Sequence, residues 1–307
     1  MLDVKRLAVL REVARQGSFS RAAGALGYTQ PAISRQIAVL ERETGATLVE
    51  RRPGGVRLTD AGELLVGHAE AVLGRLEDAE AELSELLGLE SGRLRMSTLT
   101  SAAATIMPLA IADFRNRLPR VELSVSLLDP TGVLPLLRAG ELDIALCNDA
   151  GHAALADIDS VHLFDEPMLI ALPNEHRLAQ RENLALSDLA GERWMLGTTT
   201  SCPDACRFIR ACHAAGFEPQ IAFHNDDYTA ILGFVAAGVG VAPVPEMVAR
   251  TASHNVHICS LGRGTLTRPI VASLPAGYRP RPALAMIEIL RQVSERWTRT
   301  SPQLLAA

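Results

Sequence analysis

The sequence predicts a mainly α-helical winged helix-turn-helix at the N-terminus, a long linker helix, and a two-lobed α/β domain with a ligand cleft. Three observations carry that expectation. The first is charge segregation along a chain of 307 residues with net charge -5. Residues 1–59 hold ten basic and five acidic groups, whereas residues 60–88 hold eight acidic groups and a single basic one, Arg75. The basic head is a candidate polyanion surface and the acidic neck is not. The second is an unbroken apolar repeat through that neck. The third is an alternation of strand-like and helix-like periods from about residue 93 to 298. A composition of 48% hydrophobic and 21% charged residues excludes a disordered or collagen-like chain. No apolar run approaches the ~20 residues that span a bilayer, and no signal-peptide core follows the first residues, so a cytoplasmic protein is expected. Five cysteines do not make a disulfide framework in a chain of this length.

In the head, residues 2–16 have a helical period with Leu2, Leu7, Leu10, Val13 and Ala14 on one face. Gly17 ends that helix and Ser18 can cap a short second helix over residues 19–26. After the turn Gly27-Tyr28-Thr29, Thr29 is placed as the N-cap of a third helix over about 30–42, with Pro31 in its first turn. Ile33, Ile37 and Leu40 form its apolar face, which leaves Gln30, Ser34 and Arg35 on another. Polar groups at the N-terminal end of the second helix of such a pair are how a helix-turn-helix meets a major groove. Gln30 can read a base edge, Pro31 or Ala32 can touch a thymine methyl, and Ser34 and Arg35 can bind phosphate or a base edge. The runs 48–52 and 56–59 flank Pro53-Gly54-Gly55 as a β-hairpin wing that carries Arg51, Arg52 and Arg57. Taken alone, the polar face could also be the solvated side of an ordinary helical domain.

In the neck, Leu65, Ala69, Val72, Leu76, Ala79, Leu83 and Leu86 are spaced alternately by four and three residues. That is a coiled-coil seam, expected to pair with a second copy on a helix of about 40 Å at ~1.5 Å per residue. Paired heads would then meet two half-sites of a partly palindromic DNA site.

In the remainder, strands are expected at 93–98, 121–127 and 142–146, with helices at 105–117 and 133–138 between them. Ile106, Leu109 and Phe114 are expected to face inward. This βαβαβ order implies a parallel sheet. A second set follows: a strand at 167–172, a short helix at 186–190, a strand at 194–196, a helix at 203–215, a strand at 221–223, a helix at 227–237 and a strand at 241–245. Cys206, Ile209 and Ala214 are among the less polar positions of the 203–215 helix. A strand at 270–274 and a closing helix at 284–297, with Leu284, Ile287, Leu290 and Val293 inward, return to the first lobe. The expected domains are 1–59, 60–88 and 89–298, with lobe I at 93–162 and 269–298, lobe II at 167–263, and a flexible tail at 299–307.

Ligands in such sheets sit at the carboxyl ends of strands near helix N-termini. That rule selects Thr100, Ser101, Asp129, Thr131 and Asn148 in lobe I. In lobe II it selects Thr200, Ser201, Cys202, Asn225 and Asp226. Hydroxyls and backbone N–H groups favour a small polar or anionic effector, although helix capping alone would account for Ser101 and Ser201. No arginine is placed at a first-lobe strand end, so Arg207 or Arg210 are the basic candidates for an anion. Cys202, Cys206 and Cys212 do not have zinc-site spacing, and no metal or cofactor is expected.

The run Gly17-Ser18-Phe19-Ser20-Arg21-Ala22-Ala23, then Gln30 to Ile37, Leu40-Glu41, Gly45, Leu48, Arg51-Arg52 and Leu58 to Gly62 closely resembles the N-terminal domain of LysR-type transcriptional regulators. The segments 142–146, 163–173 and 235–245 resemble the regulatory domain of that family more diffusely. The resemblance implies a winged helix-turn-helix, base- and phosphate-facing roles for Gln30, Pro31, Ser34 and Arg35, a dimerising linker helix, and a periplasmic-binding-protein-like domain that responds to a small inducer. It further implies dimers or tetramers, and contact with RNA polymerase where such a protein activates. Some members sense peroxide through second-lobe cysteines, which makes a Cys202–Cys212 thiol switch an alternative. An enzyme that uses Cys202 or a cleft carboxylate, and a DNA-binding protein without any inducer, are the other readings.

Overall fold

The computed structural model describes residues 2–52, 55–86, 92–129, 132–148, 155–179, 181, 184–198, 203–252, 255–261 and 266–300. The chain divides into two compact units, residues 1–92 with 135–142, and residues 93–134 with 143–307. Among the described residues, no helix is long and apolar enough to cross a membrane.

The first unit opens with α1 (Val4–Gln16), α2 (Phe19–Leu26) and α3 (Gln30–Thr44). Asp3 caps α1 by accepting the N–H of Lys5, so the helix starts two residues later than its apolar pattern suggested, and Leu2 is exposed. Gly17 and Gly27 close α1 and α2 in the left-handed conformation, at φ 59° and 68°. Ser18 caps α2 through the N–H of Arg21. Thr29 does occupy the N-cap of α3, but its side chain makes no capping bond. Leu7, Leu10, Val13, Phe19, Ile33, Ile37 and Leu40 form one buried cluster, as their helical spacing requires.

Strands β1 (Val49–Arg52) and β2 (Gly55–Leu58) pair antiparallel as the wing. Glu41 of α3 accepts the N–H of Leu48 at 2.8 Å, which ties the base of the wing to the third helix. The Val56 N–H donates to the Gly17 carbonyl at 2.9 Å. A Cβ on Gly55 would lie 2.6 Å from that same oxygen, so only glycine permits the approach.

Thr59 accepts the N–H of Gly62 and opens α4 (Asp60–Leu86). The first part of the expected seam is used within the chain. Ala69 is fully buried and Leu65 packs on the head cluster, both against the chain's own helices rather than a second copy. The reason is that Val66 and Ala69 continue the head's apolar surface. Val72, Leu76, Ala79 and Leu83 remain exposed. The side chain of Leu86 lies outside the described residues. The 135–142 segment, expected in lobe I, belongs to this unit: Gly74 of α4 approaches Gly140 so closely that an added Cβ would lie 3.3 Å from the Gly140 carbonyl oxygen.

The second unit begins with β3 (Gly92–Thr98), α5 (Thr100–Ala103), α6 (Ile106–Arg117), β4 (Val121–Leu127), α7 (Val133–Arg138, most of it in the first unit) and β5 (Ile144–Cys147). Then come β6 (Ile158–Pro173), a 3-10 turn at Leu186–Leu189, β7 (Arg193–Leu196), α8 (Pro203–Ala214), β8 (Gln220–His224) and α9 (Tyr228–Ala236). The unit closes with β9 (Ala242–Pro245), α10 (Glu246–Ala249), β10 (Val256–Cys259), β11 (Thr267–Pro275) and α11 (Arg281–Thr300). The helix α11 takes in residues 299–300, and the rest of the expected tail lies outside the described residues.

The sheet is mixed rather than parallel. Seven strands join in the order β10-β6-β11-β5-β3-β4, with β9 also on β6. β3 and β5 are parallel, as are β7 and β8 in a separate pair. β11 runs antiparallel to β5 and β6, because it returns from the second lobe. The 16-residue β6 carries this architecture. Its first part pairs with β11, and its last residues pair with β9 on one side and β10 on the other.

Phe114, Ile144, Ile270, Met286 and Leu290 pack in the core of lobe I, and Trp194, Phe208, Cys212 and Val241 in one core of lobe II. Three faces differ from expectation. Leu109 and Leu284 are exposed while Ile106 and Ile287 are buried, so both helices sit rotated toward their other apolar residues. On α8 the buried face is Ala205, Phe208 and Cys212, whereas Cys206 and Ala214 are exposed.

Candidate functional site

The first site is the exposed N-terminal end of α3. Burial of Ile33, Ile37 and Leu40 fixes the helix's rotation and turns Gln30, Pro31 and Arg35 to solvent, with Ala32 and Ser34 half-buried beside them. Arg6 of α1 holds the far part of α3 by pairing with Glu43 at 2.5 Å and donating to Gln36 at 3.3 Å. The wing presents Arg57 and Arg52 to solvent, with Arg52 paired to Glu50 at 3.0 Å. Arg51 lies on β1, and its side chain is outside the described residues. An exposed helix end with a side-chain amide and a guanidinium, flanked by an arginine hairpin, is suited to base edges and phosphates together.

The second site is a cleft of about 230 Å³ in the second unit. Thr100, Ser101, Asp129, Asn148, Asn225 and Asp226 line it, as the strand-end rule anticipated. Thr131, Thr200, Ser201 and Cys202 lie outside the described residues. Leu99, Leu127 and Leu128 supply apolar wall. Asn225 and Asp226 are fixed by turns at the end of β8: the Asn225 side chain accepts the Asp227 N–H, and Asp226 accepts the N–H and hydroxyl of Thr198 at 2.8 and 2.7 Å.

The cleft residues with polar or charged side chains that the strand-end reading missed are Asp204, Tyr228 and Arg268. Arg268 sits near the start of β11 directly across from Glu166 on β6, so the register brings the two charges together. Arg268 is 2% exposed, and each of its guanidinium nitrogens is engaged. Nε donates to Glu166 at 2.8 Å, Nη1 to Asp204 at 2.5 Å, and Nη2 to the Ser101 hydroxyl at 2.6 Å. Glu166 also accepts the Met247 N–H at 2.6 Å. Burial opposes the Arg268 charge, but Asp204 and Glu166 more than offset it and push its pKa up. Burial pushes the Glu166 carboxyl up, against the pull of Arg268 and the Met247 N–H. The cluster joins α5 of the first lobe to α8 of the second through the two strands that pass between them. Arg207 is not a vacant cation but pairs with Asp204 at 3.3 Å, and Arg210 is exposed and absent from the lining. The one sequence signal was position: Arg268-Pro269 immediately precedes the apolar run 270–274, where the chain returns between lobes.

Cys212 lies in the lobe II core, where burial and then Glu218 push its thiol up to about 12. Such a thiol is almost wholly protonated at neutral pH and is a poor nucleophile. Cys259 is similarly pushed up to about 11 by burial.

Comparison with known proteins matches both parts of the chain to families. Residues 4–63 match the bacterial regulatory helix-turn-helix protein, lysR family, and residues 87–295 match the LysR substrate binding domain. The probable HTH-type transcriptional regulator LrrA of Synechococcus elongatus is 31% identical over 300 residues, covering 95% of this chain and 98% of that protein. A hydrogen peroxide-inducible genes activator of Pectobacterium carotovorum is 31% identical over 248 residues, covering 80% of each chain. Among solved structures, a full-length OxyR variant from Pseudomonas aeruginosa shares the fold with a TM-score of 0.75 at 22% identity, covering 96% of this chain and 95% of that one. CbnR, a LysR family transcriptional regulator, follows at 0.70 and 22%, covering 95% and 99%. With a helix-turn-helix head and a two-lobed domain each matched to its family over nearly the whole chain, this protein belongs to the LysR family of DNA-binding transcriptional regulators.

Proposed function

We propose that the cleft of the second unit binds a small polar effector, and that its occupancy shifts the assembly in which two or more heads grip a partly palindromic DNA site. The observation that carries this reading is the convergence of six strand-end polar residues from both lobes on one cavity. An effector alters DNA binding only as far as it prefers one assembly state over the other. The exposed apolar positions of α4 support a homodimer or a tetramer built from dimers. The reading extends to a cytoplasmic protein without enzymatic turnover, one that contacts RNA polymerase where it activates. A thiol-responsive regulator using Cys202 and Cys212 is disfavoured by the burial and high pKa of Cys212.

A footprint on the DNA upstream of the protein's own coding region, repeated across salt and with competitor DNA, tests the proposal. Protection of two half-sites that survives competitor, and whose extent changes with a small molecule, is the expected result. Weak, uniform and steeply salt-sensitive binding, indifferent to every small molecule tried, would overturn it.

A further inference from the structure

Each of the five carboxylates of the head, residues 1–59, is already engaged within the head. Asp3 accepts the Lys5 N–H at the start of α1, Glu12 accepts from Arg15 and Gln16, and Glu41 accepts the Leu48 and Val49 N–H groups at the base of the wing. Glu43 pairs with Arg6, and Glu50 with Arg52. Between Glu12 and Glu41 the chain carries no acidic residue, and that interval holds α2, the turn and most of α3. Two arginines of the interval, Arg21 on α2 and Arg35 on α3, are exposed. Among the described residues, neither side chain is taken up by a hydrogen bond or an ion pair. Arg35 has its expected place at the DNA, whereas the side chain of Arg21 has had no task. An exposed guanidinium with no acid to pair with is suited to a phosphate, which its planar fork matches.

The second observation is where that guanidinium lies. Gly17 joins α1 to α2, and its carbonyl accepts the Val56 N–H of the wing at 2.9 Å. A Cβ built on Gly17 would lie 3.8 Å from Nη2 of Arg21 and 4.0 Å from the Val56 carbonyl oxygen. The Arg21 guanidinium therefore sits where α2 meets strand β2, whose next residue is the exposed Arg57. In a helix-turn-helix the second helix of the pair enters the major groove while the first crosses the DNA backbone. Here α3 is the second and α2 the first, so Arg21 stands on the helix that passes over phosphates.

From these two observations we infer that Arg21 is a positioning residue for DNA binding, whose guanidinium holds a backbone phosphate at the junction of α2 and the wing. The inference rests on the reading of the head as the part that grips DNA. The contact reads no base. It fixes the register in which the N-terminal end of α3 lies in the groove, and so the bases that Gln30 can reach.

Anisotropy titrations of the full-length protein over a salt series test this, with a duplex taken from the footprint upstream of its coding region and a scrambled duplex of the same length. Arg21→Ala is expected to weaken both duplexes by about tenfold, the scale of one charge-assisted hydrogen bond. It should also reduce the slope of log affinity against log salt by about one, the release of one phosphate's counterions. Arg21→Lys keeps the charge and should keep the parent slope. Arg15→Ala is the control: that arginine is paired with Glu12 at 3.0 Å, and its loss should leave the slope unchanged. Thermal melts establish that each variant is folded, and Arg21→Gln, which keeps much of the alkyl stem, replaces the alanine variant should that one unfold. A folded Arg21→Ala or Arg21→Gln with the parent slope would overturn the phosphate contact. So would a slope that Arg21→Lys lowers as far as alanine does, or one that Arg15→Ala lowers equally, since the first marks a structural role and the second a general field. Weakening confined to the footprint duplex would overturn it in favour of base reading. A parent protein that binds neither duplex would overturn the reading of the head, and the inference with it.

Discussion

Arg268 shows how little a residue's type says about its task until its neighbours are known. Guanidinium, Glu166 and Asp204 satisfy one another in a space from which water is excluded. Removing the cation alone leaves two buried carboxylates facing each other. Arg268→Leu should therefore lower stability by ~3–5 kcal/mol, read as a fall in the denaturant midpoint of the full chain. An unchanged midpoint would mean that the cluster is solvated. The head offers a second pair of predictions. Gln30→Ala should relax sequence preference more than overall affinity, because an amide that reads a base edge carries information rather than charge. If Arg35 meets a phosphate, Arg35→Ala should weaken binding across sequences and reduce the salt slope by about one. Competition binding over a salt series separates the two. The residues of the head were legible because burial of a 3.6-residue stripe fixes the opposite face. Arg268 was not, since its partners lie 102 and 64 residues away in sequence.

At the scale of elements, legibility followed the strength of the periodic signal. Residues 121–127 and 133–138 form a strand and a helix where their patterns place them. Residues 158–166 did not announce themselves, because Asp159, Ser160, His162, Asp165 and Glu166 break the apolar run of a buried strand, and only pairing with β11 makes them one. The α8 helix was misjudged for a related reason: Cys206 and Ala214 are small and mildly apolar, but Phe208 has more area to bury and sets the rotation. The contact between α4 and the 135–142 segment adds a titrating feature. Burial, and then the neighbouring Glu141, pushes the Glu70 carboxyl above its ordinary range. A carboxyl with a raised folded pKa holds its proton longer in the folded state, so this contact is most secure in acid and loses stability as pH rises from the ordinary carboxylate range through the raised value. Glu141→Gln should remove the like charge and raise stability at neutral pH by ~0.5 kcal/mol or less, with the gain disappearing in acid. Thermal melts of the parent and variant at both pH values provide the check.

At the scale of the whole molecule, the linker helix divides its labour along its length. Its first turns complete the head, and its later positions, Val72, Leu76 and Leu83, are exposed, the surface that the proposed assembly would cover with another copy. Leu76→Asp should therefore reduce the oligomer mass and shorten the footprint to one half-site while the head keeps its helical signal. Ala69→Asp, placed in the head core, should instead unfold the head itself. Sedimentation and circular dichroism distinguish these outcomes. The long strand β6 has a consequence of another kind. Because one continuous run of backbone is a member of both lobes, neither lobe can melt without tearing out part of the other's sheet. The two lobes should behave as a single cooperative block, with one calorimetric transition between them, and the amides of Met168 to Leu172 should be among the last in the chain to exchange with deuterium.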